Sequence, residues 1–266
     1  MLTAALGGLI KEFRIKKRLS QQDISLLVGW KDTTRLSKIE QSRVGSISRE
    51  ILGKIMDALN LNENERARML FASGIVPTKE ESKQLINKLK KSLSYINAPL
   101  YIVDFAWNTI YINDLAKKLF MIADNEYEYI NSKMPNWMEL VFLRKTFSKV
   151  AIREGYNKEA LYPYDEFQLA YFKDELAPYA QDRWYKDLLF RLSKDEHFRK
   201  LWSNIPASRN LLLYEYVYKE ISGAWNGSHQ VLKFHSFSIR PSSDFFRYFI
   251  TILQPADENT FRFYAK

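Results

Sequence analysis

Four helix starts follow one another between residues 20 and 65, each leading into apolar residues at helical spacing, and that punctuation constrains the N-terminal part of the chain more than anything else in it. Ser20 stands as an N-cap with Asp23 three residues on. This is the capping-box pattern, in which one side chain accepts from a helix amide and the other reaches back to the cap amide. Asn62 with Glu65 repeats it, and Asp32 and Ser48 supply two further N-caps. Gly29 follows the apolar edge Ile24, Leu27 and Val28 and offers the left-handed residue that ends a helix. Upstream, LGGLIKEFRIKKRL (6–19) puts Leu6, Leu9, Ile10 and Phe13 on one face. Lys16, Lys17 and Arg18 close that segment, where cations suit the helix dipole. Downstream, Ile51, Leu52, Ile55 and Leu59, then Ala67, Leu70 and Phe71, mark the inward faces of two more helices. The pattern predicts an all-α five-helix bundle over residues 1–76.

One helix of the five is unusual. In DTTRLSKIEQSR (32–43) only Leu36 and Ile39 are apolar, three apart, so a helix here is pinned along one narrow edge and is polar everywhere else. Those twelve residues alone also fit a solvated surface helix; the flanking segments decide between the two. LSQQDISLLVG (19–29) and RLSKIEQSR (35–43) resemble, in order and spacing, the paired motifs of the lambda-repressor/Cro-type helix-turn-helix, the XRE family, and the resemblance covers roughly residues 5–72. Two departures are visible: one additional residue lies between Gly29 and Leu36, and Ser42 stands where glycine is usual. The resemblance implies that the second motif helix lies in the major groove of duplex DNA, with its N-terminal residues at base edges. Carried over, Thr33, Thr34, Ser37 and Lys38 are candidates for base edges, Arg35 for a guanine or a phosphate, and Gln21 and Arg43 for backbone phosphates. Glu40 is expected to be structural, holding a Lys or Arg within the bundle.

Charge and aromatic content change along the chain. Residues 1–76 hold 13 of the 40 Lys+Arg and 8 of the 31 Asp+Glu, so more than half of the net charge of +9 falls in the smaller part. Among Phe, Tyr and Trp, that part contains only Phe13, Trp30 and Phe71. Two domains with different tasks are expected, joined by a linker over 77–94 in which TKEESKQLINKLKKSL reads as an amphipathic helix. Beyond it, PLYIVDF and TIYI read as a strand hairpin, residues 136–202 as mostly helical, and LLLYEYVYKEIS, HQVLKFHSFSIR and DFFRYFITILQP as three further strands. That order predicts an α+β domain over 95–266, a five-stranded antiparallel sheet with helices on one face.

PLYIVDFAWNTIYINDLAKKLF, WMELVF, DEHFRKLW and the terminal YFITILQPAD resemble the ligand-binding domain of MmyB-like transcription regulators, over about residues 95–258. The resemblance implies a PAS-like pocket for a small apolar ligand such as a fatty acid. Apolar walls with a polar anchor at the mouth suit such a ligand. The candidate walls are Tyr101, Val103, Tyr111, Trp137, Phe142, Trp202, Tyr216, Phe234, Phe237 and Phe249, with Arg240 or Tyr248 as anchor. Aromatics at strand spacing also fit a plain core, in which case the domain docks a protein partner.

Catalytic chemistry is not expected. The three histidines, His197, His229 and His235, make no metal-ligand spacing, there is no cysteine, and no phosphate-binding glycine loop occurs. No cofactor follows from the sequence. With no 18-residue apolar run and no export signal, a cytoplasmic protein without a membrane partner is expected. The expected function is sequence-specific regulation of transcription, by a homodimer on double-stranded DNA.

Overall fold

The computed structural model describes residues 2–45, 47–206, 216–239 and 247–264. The described residues form two compact units: those up to Val76 together with Arg247, and the remainder from Pro77 on.

The first unit is helical: α1 (Leu2–Lys16), α2 (Gln21–Val28), α3 (Thr34–Glu40), α4 (Arg49–Ala58) and α5 (Glu63–Ala72). The capping boxes at Ser20–Asp23 and Asn62–Glu65 both form, and Ser48 caps α4 by accepting from the Ile51 amide. Gly29 ends α2 at φ 82°, ψ 26°. The core gathers Leu6, Ile10, Phe13, Ile24, Val28, Leu36, Ile39, Leu52, Ile55, Met56, Leu59, Leu61 and Met69. Two faces differ from expectation. On α2, Leu27 is 65% exposed and Ser25 takes the buried place beside Ile24 and Val28. On α5, Met69 is buried while Leu70 is only partly so, because the buried edge runs from Leu61 through Glu65 to Met69 at four-residue spacing.

Two close approaches shape this bundle. A Cβ on Gly7 would stand 2.4 Å from the carbonyl oxygen of Ile39 and 2.9 Å from that of Glu40, so α1 can pass the end of α3 only where it has no side chain. Ser42, at φ 57°, fills the left-handed position after α3. Its amide donates to Ile39 O at 2.9 Å and the next amide, of Arg43, donates to Lys38 O at 2.8 Å, the paired bonds of a Schellman ending.

The second unit begins with α6 (Lys79–Leu93), opened by a Thr78–Glu81 capping box and burying Leu85 and Leu93. Its sheet is antiparallel throughout, with strands β1 (Leu100–Asp104), β2 (Thr109–Ile112), β3 (Ala151–Gly155), β4 (Tyr162–Pro163), β5 (Tyr216–Trp225), β6 (Ser228–Ile239) and β7 (Tyr248–Pro255) in the order β2-β1-β7-β6-β5-β3-β4. The sheet therefore has seven strands, not five. The five expected strands are contiguous, and the β3–β4 hairpin extends the sheet past β5, out of a stretch expected to be mostly helical. In β3 the inward residues are Ile152 and Glu154, and a charged inward residue breaks the apolar alternation that marks a strand. Gly155 is required there, since a Cβ would lie 1.9 Å from Ala160 O.

Both tight hairpins have a local cause. Asp104 accepts the amides of Ala106 and Asn108 at 2.9 Å each and allows Trp107 its φ of 65° between β1 and β2. Asn226–Gly227, at φ 52° and 78°, form a two-residue turn of the type that matches strand twist and closes β5 onto β6. The helices of this unit are α7 (Asp114–Leu119), α8 (Asp124–Lys133), α9 (Tyr164–Glu175), α10 (Arg183–Leu192), α11 (Glu196–Asn204) and α12 (Glu258–Tyr264), with a π-helical turn at Glu139–Leu143. No helix among the described residues is long and apolar enough to cross a membrane.

Candidate nucleic-acid interface

The site is built on α3. Leu36 (0% exposed) and Ile39 (3%) fix one edge of the helix in the core. Thr33 is the residue before its first turn, and its side chain makes no capping bond. The cap comes from Asp32 instead, whose carboxylate accepts the Thr34 amide at 2.8 Å. That bond, with the nearby Lys38 charge, holds the Asp32 carboxyl below its usual range.

Of the residues expected at base edges, Thr34 and Lys38 are exposed, Thr33 and Ser37 are half-buried, and Ser37 Oγ accepts from Gln41 Nε2 at 3.0 Å. Arg35 and Arg43 are exposed. Six of the seven predicted residues thus lie on or beside one helix, and none of the six is buried. Gln21 is the exception. Its amide nitrogen donates to Glu40 Oε2 at 2.8 Å, inside a polar lock in which Arg14 forks onto the same carboxylate at 2.6 and 3.0 Å. Glu40 is buried and holds Arg14 as expected; the hydrogen bond to Glu40 raises the Arg14 pKa further. This lock ties the ends of α1, α2 and α3 together.

Several cations of the bundle are paired with carboxylates. Arg14 pairs with Glu40, Lys16 and Lys17 with Glu65, Lys54 with Glu50, and Arg66 with Asp57. Among the described residues, Lys31, Arg35, Lys38 and Arg43 form no ion pair and are exposed, as are Lys11, Arg18 and Arg68, but only the first four lie on or beside α3. A slender helix with unneutralised cations on its open face is a shape the major groove accepts, and its charge suits phosphates. Sequence reasoning missed Lys31 and Trp30, which sit in the turn before α3. The Arg35 guanidinium lies 5.0 Å from the centre of the Trp30 ring. An aromatic residue five positions before an arginine, across a turn, carries no helical periodicity, so pattern reading passes over it.

In the second unit the residues expected to wall a pocket do not share a surface. Strand register sorts them by parity. Tyr101, Val103, Phe234 and Phe249 point to one face of the sheet, while Tyr111, Phe237 and Tyr248 belong to the other. Tyr216 pairs with Phe237 through its backbone; its side chain and all of Arg240 lie outside the described residues. On the first face, Tyr101 stacks on Trp137 at 4.4 Å and the Trp137 indole donates to Tyr164 Oη at 2.9 Å. Phe142 and Trp202 each pack on Phe198. Phe234 lies against Tyr264. Two surface depressions, of about 430 and 450 Å³, lie beside Lys117 and beside His197, and none of the ten wall and anchor residues whose side chains are described lines either.

A buried ion pair completes that interior. Glu154 on β3 and Lys219 on β5 are register partners, joined at 2.6 Å, with side chains 0% and 5% exposed. Gln168 of α9 donates to the same carboxylate. Burial pushes the Lys219 ammonium down, but Glu154 and Tyr101 outweigh it and hold it above its ordinary value. Burial drives the Tyr164 phenol well up.

Residues 5–69 match the family model of a helix-turn-helix domain. No curated protein matches the chain.

Proposed function

We propose that this chain is a sequence-specific DNA-binding regulator of transcription in which α3 is the helix that enters the major groove. The observation that carries the reading is the cluster of exposed cations without ion pairs, Lys31, Arg35, Lys38 and Arg43, on and beside a helix anchored by two buried residues. In this reading the protein acts as a homodimer on half-sites about one helical turn apart, in the cytoplasm, with no catalytic step. The experiment is selection of duplexes from a random library by the full-length protein. It returns an enriched, two-fold related sequence whose affinity falls steeply with salt; recovery of the input library unchanged would contradict it.

For the second unit, the contiguous order β2-β1-β7-β6-β5 supports a PAS-like regulatory domain that senses a small apolar ligand. A specific observation favours the other reading, in which it docks a protein. Tyr101 packs on Trp137 and Phe142 on Phe198, while Ile239 and Val231, on the opposite face of the sheet from Tyr101, are 50% and 39% exposed. Mass spectrometry of organic extracts from the purified protein separates them: a stoichiometric fatty acid supports the sensor, and its absence with a co-purifying protein supports docking.

A further inference from the structure

The turn before α3 carries an aromatic ring that a helix-turn-helix backbone does not require. Trp30 follows Gly29, and its amide donates to Ser25 O at 2.8 Å, which fixes the backbone of the turn. The side chain is half-buried and packs against the edge of the core. Its ring carries the guanidinium of Arg35, the second residue of α3, at 5.0 Å. Among the described residues no carboxylate competes for that guanidinium.

Two features of this contact bear on recognition. An arginine loose in water loses rotamer freedom when it docks, and that loss subtracts from affinity. A guanidinium attracted to a ring uses its face, whereas it donates hydrogen bonds in its own plane. A ring under Arg35 therefore restrains the side chain before DNA arrives and leaves the in-plane N–H fork open. The fork matches the O6 and N7 acceptors of guanine in the major groove.

We propose that Trp30 is a positioning residue for base recognition, its ring presenting the Arg35 guanidinium as a pre-set fork for one guanine in each half-site. The proposal rests on the DNA-binding reading above. The test uses the full-length protein and the duplex it selects, with every base pair of a half-site substituted in turn. Four variants are compared with the wild type: Arg35→Ala, Trp30→Leu, Trp30→Phe and the double variant Trp30→Leu/Arg35→Ala. Arg35→Ala loses about 5- to 150-fold in affinity and abolishes the preference for guanine at one position, as expected for a bidentate contact. Trp30→Leu loses roughly 2- to 5-fold, the range of an exposed cation–π contact. It relaxes the preference at that same position alone and leaves the salt dependence unchanged, because no phosphate contact is removed. Trp30→Phe retains most of the preference, and the double variant is no worse than Arg35→Ala, since the ring acts only through the arginine.

Three results overturn the proposal. Trp30→Leu could keep the wild-type preference at every position. It could lose affinity equally for all sequences, with a lowered melting temperature. The double variant could show additive losses. A wild type that selects no sequence removes the DNA-binding reading itself and the proposal with it, which is a different outcome from a selected site that ignores Trp30.

Discussion

At the scale of single residues, the fold turns on a few positions where one atom decides. Gly7→Ala places a methyl group 2.4 Å from the Ile39 carbonyl oxygen, and helix backbone on both sides has nowhere to give. Overpacking of this kind costs about 1–3 kcal/mol, so the urea midpoint falls; an unchanged midpoint would mean that the two helices separate freely. Lys219→Met leaves the fully buried Glu154 carboxylate without its charge partner and costs ~3–5 kcal/mol. Adding Glu154→Leu recovers much of that loss, because an apolar pair of similar volume leaves no buried charge and only the half-buried Gln168 amide loses its acceptor. Thermal denaturation of the two variants checks both statements, and a double variant worse than the single one contradicts them. None of these positions was legible in advance. Gly7 carries no local sequence signal that separates it from the neighbouring Gly8, and Glu154 and Lys219 lie far apart in sequence until β3 and β5 align them. Ser42 was legible as a departure from the usual glycine; the structure adds that serine takes the left-handed conformation there, so α3 still ends at the same place.

At the scale of elements, α3 separates anchoring from recognition within seven residues. Leu36→Ala removes a fully buried side chain and destabilises the bundle by about 2–5 kcal/mol. Lys38→Ala lies within about 0.5 kcal/mol of wild type in stability, yet weakens DNA binding: at one base pair if the ammonium meets a base edge, or for all sequences alike with a salt slope lower by about one if it meets a phosphate. Calorimetry beside a binding titration at several salt concentrations reads both; a Lys38→Ala protein with unaltered affinity takes that residue out of the interface. The helices of the first unit were readable because each begins on a side chain that satisfies its own orphaned amides, a local cause that the sequence states directly. Strands are less readable, because their partners are distant. The five long or apolar strands were visible, but the β3–β4 hairpin was not, since its inward Glu154 reads as surface. The proposed pocket failed as one surface for a related reason. Residues chosen for being aromatic ignore the alternation that sends Tyr101 and Tyr111 to opposite faces.

At the scale of the whole molecule, acid weakens the fold in a defined window. In Glu126 the hydrogen bonds from Arg144 outweigh burial and hold the carboxyl below its usual range. In Asp195 burial acts upward, but the Phe198 amide and Lys145 outweigh it. A carboxyl depressed in the folded state stabilises it above the unfolded value near 4, and that contribution disappears as pH falls toward the folded value. The contribution of these carboxyls to the melting temperature is therefore lost below about pH 4, less so in Glu126→Gln. The same loss in that variant would show that Glu126 is not a source of it. The central claim, that α3 occupies the major groove, can be tested on the protein directly because it contains no cysteine. Gln41→Cys puts a single thiol at the exposed end of α3, where an iron chelate can be attached and used to cut the selected duplex. The account predicts two short clusters of strand breaks, one in each half-site and about one helical turn apart. Breaks scattered along the duplex, or none beyond those made by free chelate while the protein remains bound, would contradict it.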